Sequence, residues 1–254
     1  MLNDVTTSFV ARLRSRDSAA WFELWETFGP VLRAQLSRWG KGRIGVETVQ
    51  DLSQETLVAL ASAIDRHDPS RGARFSTWLL AIARYTLGDE MDRRTAAKRG
   101  GGVRPGTLDE ELVGATGEHS PDRSYELAVF DAKVEAALRS LEREADFMDF
   151  AVFRSRVLEG VSGKEVAVSL GISEPTVSRR LTQVRERLRS KLGEVFSRFS
   201  FTEDEIEELE RNGLGLAPNK KADAAFDEAL GEIYHRLAER SARERAAANE
   251  DSQQ

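Results

Sequence analysis

The stretch from Ser162 to Leu192 reads SGKEVAVSLGISEPTVSRRLTQVRERLRSKL. It opens with Ser162 and Glu165 in an S-x-x-E pair, a capping box in which hydroxyl and carboxylate each satisfy a backbone N–H at a helix start. Val166, Ala167 and Leu170 follow at helical spacing. Gly171 interrupts the run, because a residue without Cβ enters the backbone angles of a tight turn without strain. Ser173 can cap a second helix, with Pro175 in its first turn, where a missing N–H does no harm. Along that helix Val177, Leu181, Val184 and Leu188 share one face, and Ser178, Arg179, Thr182, Gln183 and Glu186 point elsewhere.

Two short helices joined by a Gly-containing turn form the helix-turn-helix pattern. The outward Ser178, Arg179, Thr182 and Gln183 are side chains that can read base edges in a major groove. Arg180, Arg185, Arg187, Arg189 and Lys191 can meet phosphates, which add affinity without sequence information. A helical hairpin with a solvated basic face has the same spacing and is the competing reading.

The chain has 254 residues, room for one large or two small domains. Charged residues make up 31% and aromatics 7%, strand-like runs are absent, and helical periodicity dominates, so the expected class is all-α. No stretch approaches a membrane span. The first residues, MLNDVTTSFVARLRSRD, lack the apolar core and cleavage site of a signal peptide, so a cytoplasmic protein is expected. With no cysteine, disulfides, thiolate zinc sites and thiol redox switching are excluded within this sequence.

A net charge of −6 looks wrong for a nucleic-acid binder, but its distribution resolves this. From Ser197 onward there are 14 acidic and 8 basic residues, so the first 196 residues are neutral in sum. Arg71–Arg104 holds 8 basic and 3 acidic residues, and Gly160–Phe196 holds 7 and 4. Local patches of this kind, rather than the total, govern attraction to phosphates.

Composition divides the chain into a helical domain over 5–98, a flexible Gly-rich linker over 99–124 punctuated by Pro105 and Pro121, a second helical domain over 125–196, and an acidic helical extension over 197–254. In the first domain Leu57, Leu60, Ala61 and Ile64 mark an inward helix face. Asp51, Gln54 and Glu55 lie at i, i+3 and i+4 and share another face, suited to a protein partner or simply to a helix N-terminal region. A turn-rich basic loop follows, with Asp68-Pro69 and Arg71-Gly72. Ser76 or Thr77 can cap the next helix, whose Phe75, Trp78, Leu79 and Ile82 are spaced for a core, with Arg84 and Tyr85 on the exposed side. A basic loop beside aromatics also suits a single strand, where cations meet phosphates and bases stack.

Taken together, DLSQETLVALASAIDRHDPSRGARFSTWLLAIARYTLGDEMDRR resembles region 2 of a bacterial sigma-70 family sigma factor of the extracytoplasmic-function (ECF) group. FMDFAVFRSRVLEGVSGKEVAVSLGISEPTVSRRLTQVRERLRSKL is similar to region 4 of the same family. The resemblance spans residues 5–196, and the D-x-x-Q-E, D-P-S-R-G and F-S-T-W-L runs carry it in that order. It implies that Asp51, Gln54 and Glu55 dock on the clamp helices of the β′ subunit of core RNA polymerase, with the β subunit as a further contact. It implies that the loop from Asp65 to Arg74 receives a base flipped from the minus-ten element, through Asp65, Arg66, Arg71 and Arg74, with Trp78, Arg84 and Tyr85 flanking the melted strand. Region 4 is then expected to read the minus-35 element with Ser178, Arg179, Thr182 and Gln183, while Thr176, Arg180 and Arg185 hold the backbone. No catalytic role and no cofactor are implied. An anti-sigma factor is a further expected class of partner.

The extension lies beyond the resemblance. Thr202 and Glu205 form a second capping box, with Phe201 and Ile206 placed as a hydrophobic staple. Asn212-Gly213 ends that helix, and Phe226, Leu230, Ile233 and Leu237 form one apolar stripe on the next. Beyond Ser241 the sequence is polar and expected to fray. Such an extension can regulate access to DNA or polymerase, brace the fold, or dock a separate regulator.

Two other functions fit parts of the sequence. A polymerase-independent transcription regulator uses the helix-turn-helix but leaves D-x-x-Q-E and D-P-S-R-G without a role. A sigma-like decoy for an anti-sigma factor usually carries a receiver domain, and no alternating strand–helix pattern is present. An enzyme is the least favoured class. His67, His119 and His235 are scattered, no nucleotide loop or nucleophile elbow occurs, and Asp89, Glu90 and Asp92 read as solvated helix charges rather than metal ligands.

Overall fold

A computed structural model describes residues 4–41, 43–65, 74–99, 122–217 and 222–251. All regular elements among these residues are helical. The packing forms two compact units. The first comprises Met1–Ala132 with Ser197–Glu205, and the second comprises Lys133–Phe196 with Ile206–Gln254.

The first unit contains α1 (Asp4–Arg14), α2 (Ser18–Gly40), α3 (Val46–Ala63), α4 (Phe75–Arg99) and the start of α5 (Arg123–Glu144). Asp17 caps α2, its carboxylate accepting the amides of Ala19 and Ala20 at 2.9 and 3.3 Å. Helix α3 packs on both α2 and α4. Leu60 and Ile64 are buried as their spacing requires, while Leu57 and Ala61 are half-buried at the margin. The center is aromatic. Phe199 meets Phe9, Phe28 and Phe75 at centroid distances of 5.0, 5.0 and 6.0 Å. Phe201 meets Phe75 and Trp78 at 5.2 and 5.8 Å. Residues 197–205, expected to begin an appended extension, thus complete this core.

The start of α4 also differs from expectation. Phe75 is its first residue, so Ser76 and Thr77 lie inside the helix and do not cap it. The Phe75 amide is instead bound by the buried Glu205 carboxylate. The Ser76 hydroxyl donates to Glu126 at 2.8 Å.

The second unit contains the remainder of α5, then α6 (Phe147–Phe153), a π-helical turn (Arg154–Leu158), α7 (Gly163–Leu170) and α8 (Glu174–Arg198) as far as Phe196. It is completed by most of α9 (Glu203–Arg211) and by α10 (Ala222–Asp251). Helix α10 packs on the π-helical turn. Phe226, Leu230, Ile233 and Leu237 are all buried, each contributing about 2 kcal/mol by leaving water. The helix closes tightly there, since a Cβ at Gly231 would lie 3.3 Å from the Val157 carbonyl oxygen. Helix α10 continues to Asp251, so the polar tail expected to fray from Ser241 is helical. The expected linker, 99–124, falls outside the described residues over 100–121.

Candidate nucleic-acid interface

The helix-turn-helix in the second unit forms for the local reasons the sequence carries. The Ser162 hydroxyl accepts the Glu165 amide at 3.3 Å, and the Glu165 carboxylate accepts the Ser162 amide at 3.1 Å. The Ser162 hydroxyl and amide hold the Glu165 carboxyl below the usual carboxylate range. Gly171 closes α7 at φ 64°, a left-handed angle that favors glycine. The Ser173 hydroxyl accepts the Thr176 amide at 3.4 Å at the start of α8. Val177, Leu181, Val184 and Leu188 seat α8 in the core.

That seating leaves Ser178, Arg179, Thr182, Gln183 and Glu186 exposed. Arg179 leans on the half-buried Thr176 hydroxyl at 3.4 Å. Thr182 donates to the Ser178 carbonyl at 3.1 Å.

The two arginines expected to grip the DNA backbone are held by the protein itself. Arg180 donates to the buried Asp149 carboxylate, which Arg187 also approaches at 3.5 Å. Arg185 closes a two-pronged fork on Asp227, with its Nε at 2.9 Å from Oδ1 and its Nη2 on Oδ2, and with Asp223 3.6 Å from Nη1. Burial works against the Arg185 charge, but the hydrogen bonds and charge of Asp227 with the charge of Asp223 outweigh it and raise the pKa. Arg189 is bonded to Asp223 at 2.7 Å and to the Gly215 carbonyl at 3.2 Å, and stacks 4.4 Å over Phe226. Lys191 pairs with Glu144 at 2.8 Å, which holds the Glu144 carboxyl low. Sequence reasoning did not identify Asp149, Asp223 or Asp227 as partners. The i, i+4 spacing of Asp223 and Asp227, matching that of Arg185 and Arg189, was the available signal.

In the first unit Asp51 and Gln54 are exposed on α3. Glu55, on the same face, binds Arg93 at 3.1 Å. Arg93 is also bound by Asp89 and Glu90, and Arg94 by Glu90, so these acids are committed to arginines. The pairing with Glu55 and then Asp89 raises the Arg93 pKa.

At the far end of α3, Asp65 is exposed and paired with Arg16 at 2.8 Å. Arg66 and Arg71 lie outside the described residues. Arg74, at the end of that loop, lies 3.7 Å from Glu126 and 3.8 Å from Asp204. Trp78 is not beside an open surface. It is 1% exposed, inside the aromatic core, because its spacing with Phe75 and Ile82 is that of an inward face. Arg84 and Tyr85, expected outward, are both half-buried: Arg84 stacks 4.7 Å over Trp39, and burial followed by the Asp89 charge raises the Tyr85 phenol. No group of side chains suited to hold a metal ion occurs among the described residues, nor does any helix long and apolar enough to cross a membrane.

The family described as "ECF sigma factor" matches residues 3–194. The chain is similar to the ECF RNA polymerase sigma factor SigE of Mycolicibacterium smegmatis, at 29% identity over 148 residues, covering 56% of this chain and 51% of that protein. It is similar to the ECF RNA polymerase sigma factor SigF of Caulobacter vibrioides, at 28% identity over 173 residues, covering 68% of this chain and 88% of that protein. The ECF RNA polymerase sigma factor SigC of Mycobacterium tuberculosis matches at 28% identity, covering 56% of this chain and 69% of that protein. The chain thus spans about half the length of the first of these relatives and most of the second.

Proposed function

Because the chain belongs to the ECF sigma-factor family, we propose that it binds core RNA polymerase and directs promoter recognition at minus-35 and minus-ten elements, followed by DNA melting. It catalyzes nothing itself. Its role is to bring two DNA-reading surfaces to the polymerase on one chain, so that binding of one raises the effective concentration of the other.

The observation that carries this reading is the exposed row Ser178, Arg179, Thr182 and Gln183 on a helix seated by a capped helix-turn-helix. Side chains of these types on a preformed helix can enter a major groove at little ordering cost. The exposed Asp51 and Gln54, with Glu55 beside them, supply the polar face proposed for the β′ clamp helices. The loop between Asp65 and Arg74 is proposed to receive the flipped minus-ten base, which offsets part of the few kcal/mol of unstacking. Trp78, buried in the aromatic core, is not proposed to stack on the strand. Cytoplasmic residence and antagonism by an anti-sigma factor follow from the same reading.

The test is run-off transcription from a random promoter library by core polymerase with and without the purified chain. Defined start sites sharing two upstream elements are expected. A transcript pattern identical to that of core alone overturns the reading.

A further inference from the structure

Ser178, Thr182, Arg185 and Arg189 stand at i, i+4, i+7 and i+11, one line along α8. The first two are exposed. The last two are covered by α10, Arg185 through its fork on Asp227 and Arg189 through Asp223 and Phe226. Helix α10 therefore ends an exposed line of α8 by placing carboxylates on its two basic members. Asp223 and Asp227 lie one turn apart, as do Arg185 and Arg189, so the two helices meet as a matched ladder. A guanidinium fork donates to a carboxylate or a phosphate with the same two-pronged geometry.

We propose that α10 acts as an internal stand-in for the phosphate backbone of duplex DNA. Asp227 holds Arg185 where a phosphate would, and DNA and the start of α10 compete for the same line of α8. The two arginines play different parts. Arg189 is 5% exposed and fixed from three sides, which makes it the anchor of α10. The Arg185 side chain is 14% exposed, at the edge of the contact and next to the open part of the line. It is the contested residue. This rests on α8 being the helix that meets DNA.

The experiment uses the full chain and a labeled duplex of random sequence, about 30 base pairs long, because phosphate contacts carry no sequence information. Asp227→Asn removes the charged half of the fork, leaving Arg185 only the longer contact with Asp223 at 3.6 Å, and is expected to tighten binding about fivefold to tenfold. The slope of log affinity against log salt is expected to steepen by about 0.9, one added phosphate contact. Glu228→Gln removes the same charge from an exposed neighbor and controls for the general field. Binding by Asp227→Asn no tighter than by Glu228→Gln overturns the proposal, as does weaker binding by a folded Asp227→Asn chain, the result expected if α10 is only a brace.

If Asp227→Asn does not fold, hydrogen exchange of the wild-type chain decides. Faster exchange at the start of α10 on adding the duplex supports competition, and unchanged protection overturns it. Run-off transcription by the wild-type chain separates the two readings. Selective transcripts without tighter binding by Asp227→Asn reject only the competition. Tighter binding without selective transcripts rejects only the sigma function.

Discussion

Glu205 accepts the Phe75 amide at 3.2 Å from each of its carboxylate oxygens, and so supplies the start of α4 with a cap from 130 residues away in sequence. The same carboxylate accepts the amides of Phe201 and Thr202 at 2.8 and 3.1 Å. One buried side chain thus satisfies three backbone donors. Glu205→Ala should lower stability by about 2–4 kcal/mol, because buried amides are left without an acceptor. Glu205→Gln, which keeps one acceptor oxygen, should lose about half as much. Urea unfolding of the full chain measures both.

Phe199 and Trp78 are expected to behave as core. Either one changed to Ala should cost about 3–5 kcal/mol, and Trp78→Phe less, because most of the ring volume is kept. All four tryptophans, Trp21, Trp25, Trp39 and Trp78, belong to the first unit, so tryptophan fluorescence follows its unfolding selectively. A truncation before Phe199 should shift that transition to lower denaturant, whereas one after Ala217 should leave it in place. Trp78→Phe should retain transcription, and its loss in a folded chain would return Trp78 to the strand.

Asp122 caps α5, accepting the Tyr125 amide at 2.9 Å and the Ser124 hydroxyl at 2.6 Å, with Arg38 also bound to it. Its carboxyl is held down to about 2 by the Ser124 hydroxyl first, then the Tyr125 amide and Arg38. A depressed folded-state pKa stabilizes the fold above the unfolded value of 3.8, and that contribution is lost as pH falls toward about 2. Asp122→Asn should flatten the pH dependence of stability in that window, as read by thermal unfolding between pH 5 and 2.

On the proposed minus-35 surface, Arg179→Ala should relax selectivity at one base pair by about 1–3 kcal/mol and leave other positions unchanged. Arg187→Ala should instead weaken binding evenly across sequences. Selected start sites from the promoter library distinguish the two patterns.

On the proposed polymerase surface, Asp51→Arg should weaken core binding about tenfold, or 1.4 kcal/mol, with no change in unfolding midpoint, because Asp51 is exposed. Fluorescence titration with core polymerase measures it.

Much of the second unit was legible in Ser162–Leu192 because its signals are local. A capping box, a left-handed glycine and an apolar face each act within a few residues, and each appears where its spacing put it. The stripe Phe226, Leu230, Ile233 and Leu237 was likewise visible as a face in need of a partner. What covers that face was not visible, nor was the occupation of Arg185 by Asp227, the cap that Glu205 gives Phe75, or the place of Phe199 among Phe9, Phe28 and Phe75. These contacts join segments 42 to 190 residues apart, and hydrophobic and charged side chains do not encode their distant partners. Periodicity says which face of a helix must be covered. Only the packed chain decides what covers it, because burial and charge pairing reward any complementary surface that the backbone can bring into reach.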